Sequence, residues 1–218
     1  MICVSVGTAR FAACRKIIKN LDCAEIRLDK ARFCLKEVRE IFSSHSNLIA
    51  TFRPGAVSEK EREGILLEAI RSGAKYVDLE LESSKFFKQR ILREARQRGC
   101  QVIMSYHDFR RTPAKEKLQR AMDRCFSQGA DIVKIACQVN SRRDVFRILS
   151  LYENQNAEQG RIVALGMGEK GKLTRVAALL LGSPWTYASL KEGRETAEGQ
   201  IDYKSLKKIL SLLKAKRI

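Results

Sequence analysis

Gly129-Ala130-Asp131-Ile132-Val133-Lys134-Ile135-Ala136 places one lysine inside a run of β-branched and apolar residues. Such a run is typical of a strand that is buried on both faces. A buried lysine must find a partner or lose its charge, because an unpaired ammonium is costly to bury. A neutral lysine amine can attack a carbonyl and form a Schiff base. Lys134 is therefore a candidate nucleophile; the alternative is that it ends its strand and reaches solvent.

The preceding apolar run ends close to a histidine. Val102-Ile103-Met104-Ser105-Tyr106-His107-Asp108 has the same β-branched character as the run around Lys134. An imidazole titrates near neutral pH and can act as both acid and base. His107 and Lys134, at the ends of successive buried strands, form a candidate acid/base and nucleophile pair.

The whole chain alternates short β-branched runs with longer helical patterns. We predict strands at residues 2–6, 23–28, 47–52, 76–81, 101–106, 131–136, 161–165 and 186–189. We predict helices at residues 8–20, 31–42, 84–98, 142–154, 173–181 and 203–216. Two further helices are predicted, one capped by Ser58 with Glu61 completing a capping box, and one opened by Thr112-Pro113 and running to about Gln128.

Eight strands and eight helices in alternation predict an α/β fold, a (β/α)8 TIM barrel. A doubly wound open sheet is the second choice, but Val6-Gly7-Thr8-Ala9, the first strand-to-helix turn, has no glycine-rich dinucleotide fingerprint. No linker rich in Pro, Gly or Ser interrupts the pattern. Residues 1–218 are therefore expected to form one barrel domain.

The charge balance is strongly basic. The 218 residues include 42 Lys and Arg against 25 Asp and Glu, a formal net charge of +17. Nucleic acid, an acidic membrane surface and an anionic small molecule are all compatible with such a surface. Aromatic residues make up only 7% of the chain, which leaves few platforms for stacking bases, so we expect no nucleic-acid partner.

No apolar run is long enough to span a bilayer and no secretory signal is visible, so we expect a cytoplasmic protein with no membrane partner. Seven cysteines, an odd number without a CxxC pair, indicate reduced thiols rather than disulfides or a zinc site. The chain has only two histidines, so we predict no metal site.

Chemistry in TIM barrels takes place at the carboxyl ends of the strands. Ionisable residues recur at these ends along the chain: Glu25, Arg27 and Asp29, then Arg53, then Asp78 and Glu80, then His107, then Lys134, with Arg175 in the helix that follows Gly166-Met167-Gly168. Each residue alone would suit a surface ion pair. Their repetition at strand ends indicates a shared site.

Eight segments together carry a family resemblance. They are Glu25-Ile26-Arg27-Leu28-Asp29, Thr51-Phe52-Arg53, Tyr76-Val77-Asp78-Leu79-Glu80, Ser105-Tyr106-His107-Asp108-Phe109, Ala130-Asp131-Ile132-Val133-Lys134-Ile135-Ala136, Gly166-Met167-Gly168, Lys172-Leu173-Thr174-Arg175 and Thr196-Ala197-Glu198-Gly199-Gln200. In this order the sequence resembles the type I 3-dehydroquinate dehydratases, the Schiff-base-forming lyases of the shikimate pathway. The resemblance implies syn elimination of water from 3-dehydroquinate to give 3-dehydroshikimate, a step of aromatic amino acid biosynthesis, with no metal and no organic cofactor.

The resemblance also implies roles for single residues. Lys134 matches the lysine that forms an imine with the ring ketone, and His107 the histidine that moves the protons. Arg175 matches the arginine that binds the substrate carboxylate. Further substrate contacts are implied for Glu25, Arg27, Arg53, Thr196, Gln200, Met167 and Ser5, of which Thr196 and Gln200 lie on the loop that closes over the substrate and Met167 supplies an apolar wall.

The chain departs from the family in three places. Many relatives carry an Arg-x-x-x-Glu-Gly-Gly stretch whose glutamate orients the histidine, and it is absent after Arg53. Glu59, Glu61, Glu25 or Glu80 could replace that glutamate. Glu198 stands where relatives often have a proline, which predicts a less rigid closing loop with an added negative charge. The sequence begins at the first strand without an N-terminal hairpin plug, so the barrel floor must be closed by side chains or by another chain, such as the second copy in a homodimer.

A second enzyme class remains open. Schiff-base aldolases that act on sugar phosphates share the barrel and the lysine, and they hold phosphate in the loops after the seventh and eighth strands. Gly166-Met167-Gly168-Glu169-Lys170-Gly171-Lys172 is glycine-rich and basic, although Glu169 is unfavourable beside a phosphate. The ordered family segments favour the dehydratase.

Overall fold

The computed structural model describes residues 1–7, 10–55, 57–153 and 160–214. The strands are β1 (Ile2–Val6), β2 (Ala24–Arg27), β3 (Leu48–Thr51), β4 (Tyr76–Glu80), β5 (Gln101–Asp108), β6 (Ile132–Gln138), β7 (Ile162–Met167) and β8 (Thr186–Ser189). The α-helices are α1 (Phe11–Ile18), α2 (Leu28–Ala31), α3 (Leu35–Ser43), α4 (Glu59–Arg71), α5 (Lys85–Arg98), α6 (Lys115–Ser127), α7 (Arg142–Leu149), α8 (Lys172–Leu180) and α9 (Tyr203–Lys214).

All eight strands run parallel in one sheet with the order β7-β6-β5-β4-β3-β2-β1-β8. The alternation of strand and helix, with sequence neighbours paired in the sheet, makes this the predicted TIM barrel. Within the described part of the chain, no backbone pairing joins β7 to β8, and α8 contacts both strands at this seam. The barrel is therefore nearly, but not fully, closed by hydrogen bonds.

Alternation along each strand divides the core into two layers. Residues such as Val4, Ile26 and Ala50 point outward and are covered by the helices, whereas Ser5, Glu25 and the next inward residues line the barrel. The amino-terminal half of the barrel interior is filled with side chains, namely Cys3, Cys23, Ile49, Tyr76, Ile103, Ile132, Val163 and Trp185. These side chains form the barrel floor, and the polar residues lie above it.

The boundaries differ from the prediction where tertiary contacts outweigh local pattern. β5 and β6 each run two residues further than predicted, so His107 and Gln138 are strand residues. Thr112 does not cap α6; its hydroxyl donates to the carbonyl of Gln138 at 2.7 Å, and the cap position is Ala114. The predicted second helix is interrupted, because α2 starts directly after β2 and ends in a left-handed residue, Arg32, with φ of 53°.

The cap predicted at Ser58 is confirmed in part. Its hydroxyl accepts the N–H of Glu61 at 3.2 Å, but Glu61 does not complete the capping box. The predicted helix ends at Thr8, Asn154 and Lys216 lie outside the described residues.

In the described chain, no helix combines the length and the apolar character needed to cross a bilayer. Among the described residues, no group of three or more His, Cys, Asp and Glu side chains is arranged to hold a metal ion.

Candidate active site

Lys134 is buried in the interior of the barrel, with an exposure of 7%. It lies in the middle of β6, and its Nζ is 3.0 Å from Oδ2 of Asp78 and 3.4 Å from Oε1 of Glu25. The same nitrogen lies 4.3 Å from the centre of the Tyr187 ring, within the range of a cation–π contact. Two carboxylates and one aromatic ring therefore hold the buried lysine nitrogen in place.

The two carboxylates beside Lys134 are themselves fully engaged. Glu25 accepts hydrogen bonds from Ser5 Oγ at 2.7 Å and from Thr51 Oγ1 at 3.0 Å. Burial alone would raise the pKa of Glu25, but the positive charges of Lys134 and Arg27 outweigh it, and the net effect lowers the pKa. Glu25 therefore stays ionised beside the lysine.

Asp78 is held by Arg53, which donates from Nη1 to Oδ1 at 3.0 Å and from Nη2 to Oδ2 at 2.8 Å. Ser105 Oγ donates a further hydrogen bond to Oδ1 at 2.6 Å. Burial opposes ionisation of Asp78, yet Arg53 and Lys134 together bring its pKa far below the usual value. Asp78 is thus a fixed negative charge under the lysine.

His107 lies near the end of β5 with its side chain largely buried. Phe109 stacks on the imidazole with the ring centres 5.7 Å apart and the planes 6° from parallel. Burial, together with the charges of Arg53 and Lys134, holds the pKa of His107 well below its usual value. The imidazole is therefore neutral near pH 7 and able to accept a proton.

Of the four glutamates that the sequence left open as partners of His107, Glu80 is the one in contact. Its Oε1 lies 3.8 Å from Nδ1 of the imidazole and 3.4 Å from Nη1 of Arg53. Glu25 is committed to Lys134, and Glu59 accepts a hydrogen bond from the serine that caps α5. Glu61 is exposed on α4. Glu80 is therefore the nearest of these four acids to the imidazole, at a distance longer than a hydrogen bond.

Arg175 is a buried guanidinium without an acidic partner among the described residues. Its exposure is 2%, and its donors reach only backbone carbonyls, Tyr187 O at 3.5 Å and Glu198 O at 3.1 Å, while Nε has no partner. Burial lowers the pKa of Arg175 to about 10, so it remains charged near neutral pH. A buried, uncompensated cation at the edge of a cavity is a binding site for an anion.

The loop after β8 covers the site. The side chain of Gln200 accepts the N–H of Thr196 at 2.8 Å, and its Nε2 donates to Ser5 Oγ at 3.4 Å. The carbonyl of Thr196 also accepts from Arg27 at 3.4 Å, while Arg27 makes a two-point ion pair with Asp29. The loop is therefore joined to the barrel by the residues that line the site.

Glu198 and Gly199 join the loop to the other side of the site. The carbonyl of Glu198 accepts the N–H of Gly168 at 3.3 Å, and a Cβ on Gly199 would lie 2.2 Å from the carbonyl oxygen of Gly168. Gly199 also has φ of +72°, a conformation that favours glycine. The glutamate expected to loosen the loop thus uses its backbone to hold it.

These residues surround one cavity of about 810 Å³ at the carboxyl ends of the strands, which we call the central cavity. All ten residues to which the family resemblance assigns a role line it: Lys134, His107, Glu25, Arg27, Arg53, Arg175, Thr196, Gln200, Met167 and Ser5. The structure adds Tyr187, Phe109 and Gln138 to the lining. Asp78 was recognised as a strand-end acid but not as the partner of Lys134, although a charge inside an apolar strand is the same signal that identified the lysine.

The residues of the glycine-rich stretch after β7 make their contacts with other parts of the protein. Lys172 pairs with Glu169 at 2.7 Å, and Lys170 donates to the carbonyl of Asn140 at 2.9 Å. A Cβ on Gly166 would lie 2.9 Å from the Cα of Gly171, so the two backbones are in close contact. The arrangement gives no support to a phosphate site in this loop.

Comparisons with known proteins agree with this geometry. A family model described as type I 3-dehydroquinase matches residues 2–217. The 3-dehydroquinate dehydratase of Methanocaldococcus jannaschii is 37% identical over 206 residues, which are 92% of this chain and 91% of that protein.

Two solved structures have the same architecture. The 3-dehydroquinate dehydratase of Geobacillus kaustophilus superposes with a TM-score of 0.87 at 26% identity, covering 100% of this chain and 92% of that one. The type I 3-dehydroquinate dehydratase of Clostridium difficile, solved with covalently modified comenic acid, gives a TM-score of 0.84 at 27% identity, covering 97% of this chain and 91% of that one.

The site thus combines a buried lysine held by two carboxylates, a neutral histidine and an uncompensated buried arginine in one cavity. A lysine amine can form an imine with a ketone, and the arginine can bind a carboxylate of the same molecule. A histidine beside them can then move protons. Such an arrangement suits elimination or addition next to the carbonyl carbon of an anionic ring or chain.

Proposed function

The chain belongs to the type I 3-dehydroquinase family, and from that premise we propose that it is a 3-dehydroquinate dehydratase, a lyase that eliminates water from 3-dehydroquinate to give 3-dehydroshikimate. The observation that carries the proposal is the buried Lys134 between Glu25 and Asp78 in the same cavity as Arg175, whose guanidinium has no acidic partner in the described chain. A substrate with a ketone and a carboxylate on one ring matches them, because the ketone can react with Lys134 and the carboxylate can bind Arg175. This dehydration is a reaction of the shikimate pathway.

The first step is formation of the imine. The Lys134 amine attacks the ring ketone, the carbinolamine loses water, and the nitrogen becomes a protonated imine covalently bound to the ring. Before the attack the ammonium gives one proton to the neutral His107, which returns it to the hydroxyl that leaves the carbinolamine as water. Glu25, Asp78 and the face of Tyr187 surround the nitrogen and stabilise the protonated imine that results. Arg175 binds the carboxylate and fixes the ring relative to the lysine.

The second step is the elimination. The protonated imine withdraws electrons and acidifies the neighbouring C–H, and the neutral His107 accepts that proton. The electron pair moves through the enamine, and the hydroxyl on the next carbon leaves after receiving a proton from the imidazolium. Water then hydrolyses the imine and releases the enone product and the free amine. Proton uptake and release balance at His107, with Glu80 as its orienting acid.

Five residues complete the proposed substrate site. Glu25 and Ser5 form a hydrogen-bonded pair beside the lysine, and Met167 supplies an apolar wall. Thr196 and Gln200 bring the hydroxyl and amide of the closing loop over the ring. Arg27 and Arg53 act by holding this loop and Asp78, since both guanidinium groups already make two-point ion pairs.

The test is reductive trapping. Incubation with 3-dehydroquinate and borohydride should add the mass of one reduced substrate at Lys134, while the ultraviolet absorbance of the enone grows in an unreduced sample. Lys134→Met should abolish both signals. Lys88→Met is the matched control, because Lys88 is also buried and bonds to the carbonyl of Leu81 outside the site. Absence of both adduct and product in the unaltered protein would refute the proposed function.

We also propose that the chain acts as one domain in a homodimer. One sheet contains all eight strands, which supports a single domain. α7 and α8 expose Phe146, Leu173 and Leu180, an apolar surface that a second copy would cover. Sedimentation velocity should give a dimer that Phe146→Glu dissociates, whereas Phe86→Glu, at a still more exposed phenylalanine on α5, leaves it intact. A monomeric unaltered protein at micromolar concentration would contradict the dimer.

A cytoplasmic location is proposed from the thiols. All seven cysteines are free, and six of them are buried in the barrel. Reduced cysteines are typical of compartments kept reducing by glutathione and thioredoxin. Cell fractionation should recover the protein with the cytoplasmic markers; recovery from an oxidising compartment would contradict the assignment.

A further inference from the structure

Gln138 is the last residue of β6, and its side chain lines the central cavity. Lys134, Ala136 and Gln138 alternate along the strand and all face this cavity. In the described parts of the chain, Gln138 is hydrogen-bonded to another side chain only through its backbone carbonyl, which accepts from Thr112 Oγ1. Its side-chain amide, with two donor hydrogens and one acceptor oxygen, therefore remains available to a bound molecule.

Gly168 makes room for this amide. A Cβ at Gly168 would lie 2.6 Å from Nε2 of Gln138, so any side chain there would displace the glutamine. The backbone of Gly168 has φ of +79°, which also favours glycine. The Gln138 amide therefore occupies the space that a side chain at position 168 would take.

The same backbone connects Gln138 with the anion site. The carbonyl of Glu198 accepts both the N–H of Gly168 at 3.3 Å and Nη2 of Arg175 at 3.1 Å. Gln138 packs against Gly168, and Gly168 is joined to Arg175 by two hydrogen bonds to the same carbonyl of Glu198. The amide and the uncompensated guanidinium thus approach the same end of the central cavity.

Ala136 separates this end from the lysine. Its side chain stops at Cβ, which leaves the cavity open between Lys134 and Gln138. The Cα atoms of these two residues are about 13 Å apart along the strand, at 3.3 Å per residue. Both side chains lie on the same face of β6 and line the central cavity, so a ring acid bound there can contact both of them.

We propose that Gln138 is a further substrate-binding residue, whose Nε2–H donates a hydrogen bond to the substrate carboxylate beside Arg175. The inference rests on the proposed dehydratase function, which supplies a ring with its ketone on Lys134 and its carboxylate at the far end. Arg175 provides the charge, and the neutral amide fixes the second oxygen without adding a cation. Gln138 thereby contributes to the selection of a ring acid over a neutral ring.

The experiment compares two variants and two ligands. Gln138→Met keeps the length of the side chain and removes the donor, and Gln138→Glu keeps the shape and adds a negative charge facing the carboxylate. For 3-dehydroquinate, KM should rise about fivefold in the first variant and about twentyfold in the second, with kcat within about twofold. The methyl ester of 3-dehydroquinate, used as a competitor, should keep its inhibition constant in Gln138→Glu within about twofold, because it carries no negative charge.

Gln101→Glu is the control, since it makes the same charge change at the exposed start of β5, at the other end of the barrel. An unchanged KM in Gln138→Glu, an equal loss for the ester and the acid, or an equal loss in Gln101→Glu would each overturn the proposal. Failure of the dehydratase function is separately visible, because the unaltered protein would then give neither adduct nor product before any Gln138 variant is made.

Discussion

Arg53 and Asp78 form a two-point ion pair inside the barrel, with N–O distances of 3.0 and 2.8 Å. The arginine follows the last residue of β3 by two positions, the aspartate lies in the middle of β4, and the carboxylate also lies 3.0 Å from Lys134. The guanidinium is thus occupied by a partner within the protein. Within the protein Arg53 holds the negative charge that faces the lysine, and its contact with substrate stays a prediction.

Removal of that charge should weaken both the fold and the chemistry. Asp78→Asn leaves Arg53 and Lys134 without their shared counter-ion in a buried site, so the free energy of unfolding should fall by about 3 kcal/mol. Urea denaturation followed by circular dichroism measures this change. Asp123→Asn, on the exposed face of α6, is the control and should change stability by less than about 0.5 kcal/mol. Equal stability of the two variants would contradict the ion pair's role.

The pH dependence of turnover should reflect the depressed pKa of His107. Because the folded pKa lies well below the usual 6.5, the neutral base persists as the pH falls through 6.5 and is lost only at lower pH. The acidic limb of kcat/KM should therefore lie below pH 6.5. A profile of kcat/KM with an NMR titration of the imidazole signals tests this, with the His107 signal assigned by its loss in His107→Gln. An imidazole titrating above pH 6.5 would contradict the prediction.

Glu80 should matter for catalysis through His107. Glu80→Gln removes the negative charge 3.8 Å from Nδ1, so kcat should fall about tenfold or more while the borohydride adduct at Lys134 still forms. The acidic limb of the pH profile should also move to lower pH, because the carboxylate no longer favours the imidazolium. Glu61→Gln, at the exposed alternative, should leave kcat unchanged. A similar loss of kcat in both variants would contradict a role of Glu80 in orienting His107.

Docking of the closing loop should depend on Gly199. Gly199→Ala forces a Cβ to within 2.2 Å of the Gly168 carbonyl and strains a φ of +72°. We expect KM to rise about tenfold and amide hydrogen exchange to increase over residues 195–200. Gly193→Ala, also at positive φ but with no atom within 4 Å of the added Cβ, carries the same backbone strain without the clash. If both variants behave alike, contact with Gly168 is not what holds the loop.

Positive charge at the carboxyl ends of the strands should accelerate capture of the anionic substrate. Arg110 and Arg111 follow β5, and Arg142 and Arg143 begin α7; all four are exposed at the carboxyl end of the strands. Raising the ionic strength from about 0.01 to about 0.15 M, which shortens the Debye length from about 30 to 8 Å, should lower kcat/KM about threefold. Arg111→Gln combined with Arg143→Gln should flatten this dependence, whereas Lys207→Gln on α9 should not. A kcat/KM that is independent of salt would exclude steering.

The sequence was sufficient for the architecture because the alternation of strand and helix is a local signal. The eighth strand was predicted with its observed bounds, and the inward-facing charges of β2, β5 and β6 were recognised from their place in apolar runs. The partners of those charges could not be predicted in the same way. Which carboxylate contacts His107 depends on the relative height of β4 and β5, and that register is set by packing across the whole barrel.

Thr112 and Tyr187 illustrate two further limits. Thr112-Pro113 has the local pattern of a helix start, yet the hydroxyl bonds to the end of β6, and a tertiary contact therefore outweighs the capping preference. Tyr187 is an inward residue of a four-residue strand, and nothing in its neighbours indicates that its ring would lie under Lys134. The periodicity of one strand predicts which of its residues point inward, but it does not predict which residues of distant strands they contact across the barrel.

The unpaired edges of β7 and β8 give the barrel a place where it can loosen. Arg175, projecting from α8, donates to the carbonyl of Tyr187 on β8 and to the loop that is bonded to Gly168 after β7. A carboxylate bound by this guanidinium adds a contact at the one join that lacks a backbone ladder in the described chain. By mass action, a bound substrate stabilises the barrel in which β7 and β8 lie side by side. The free energy needed to separate these two strands should therefore increase with the substrate concentration.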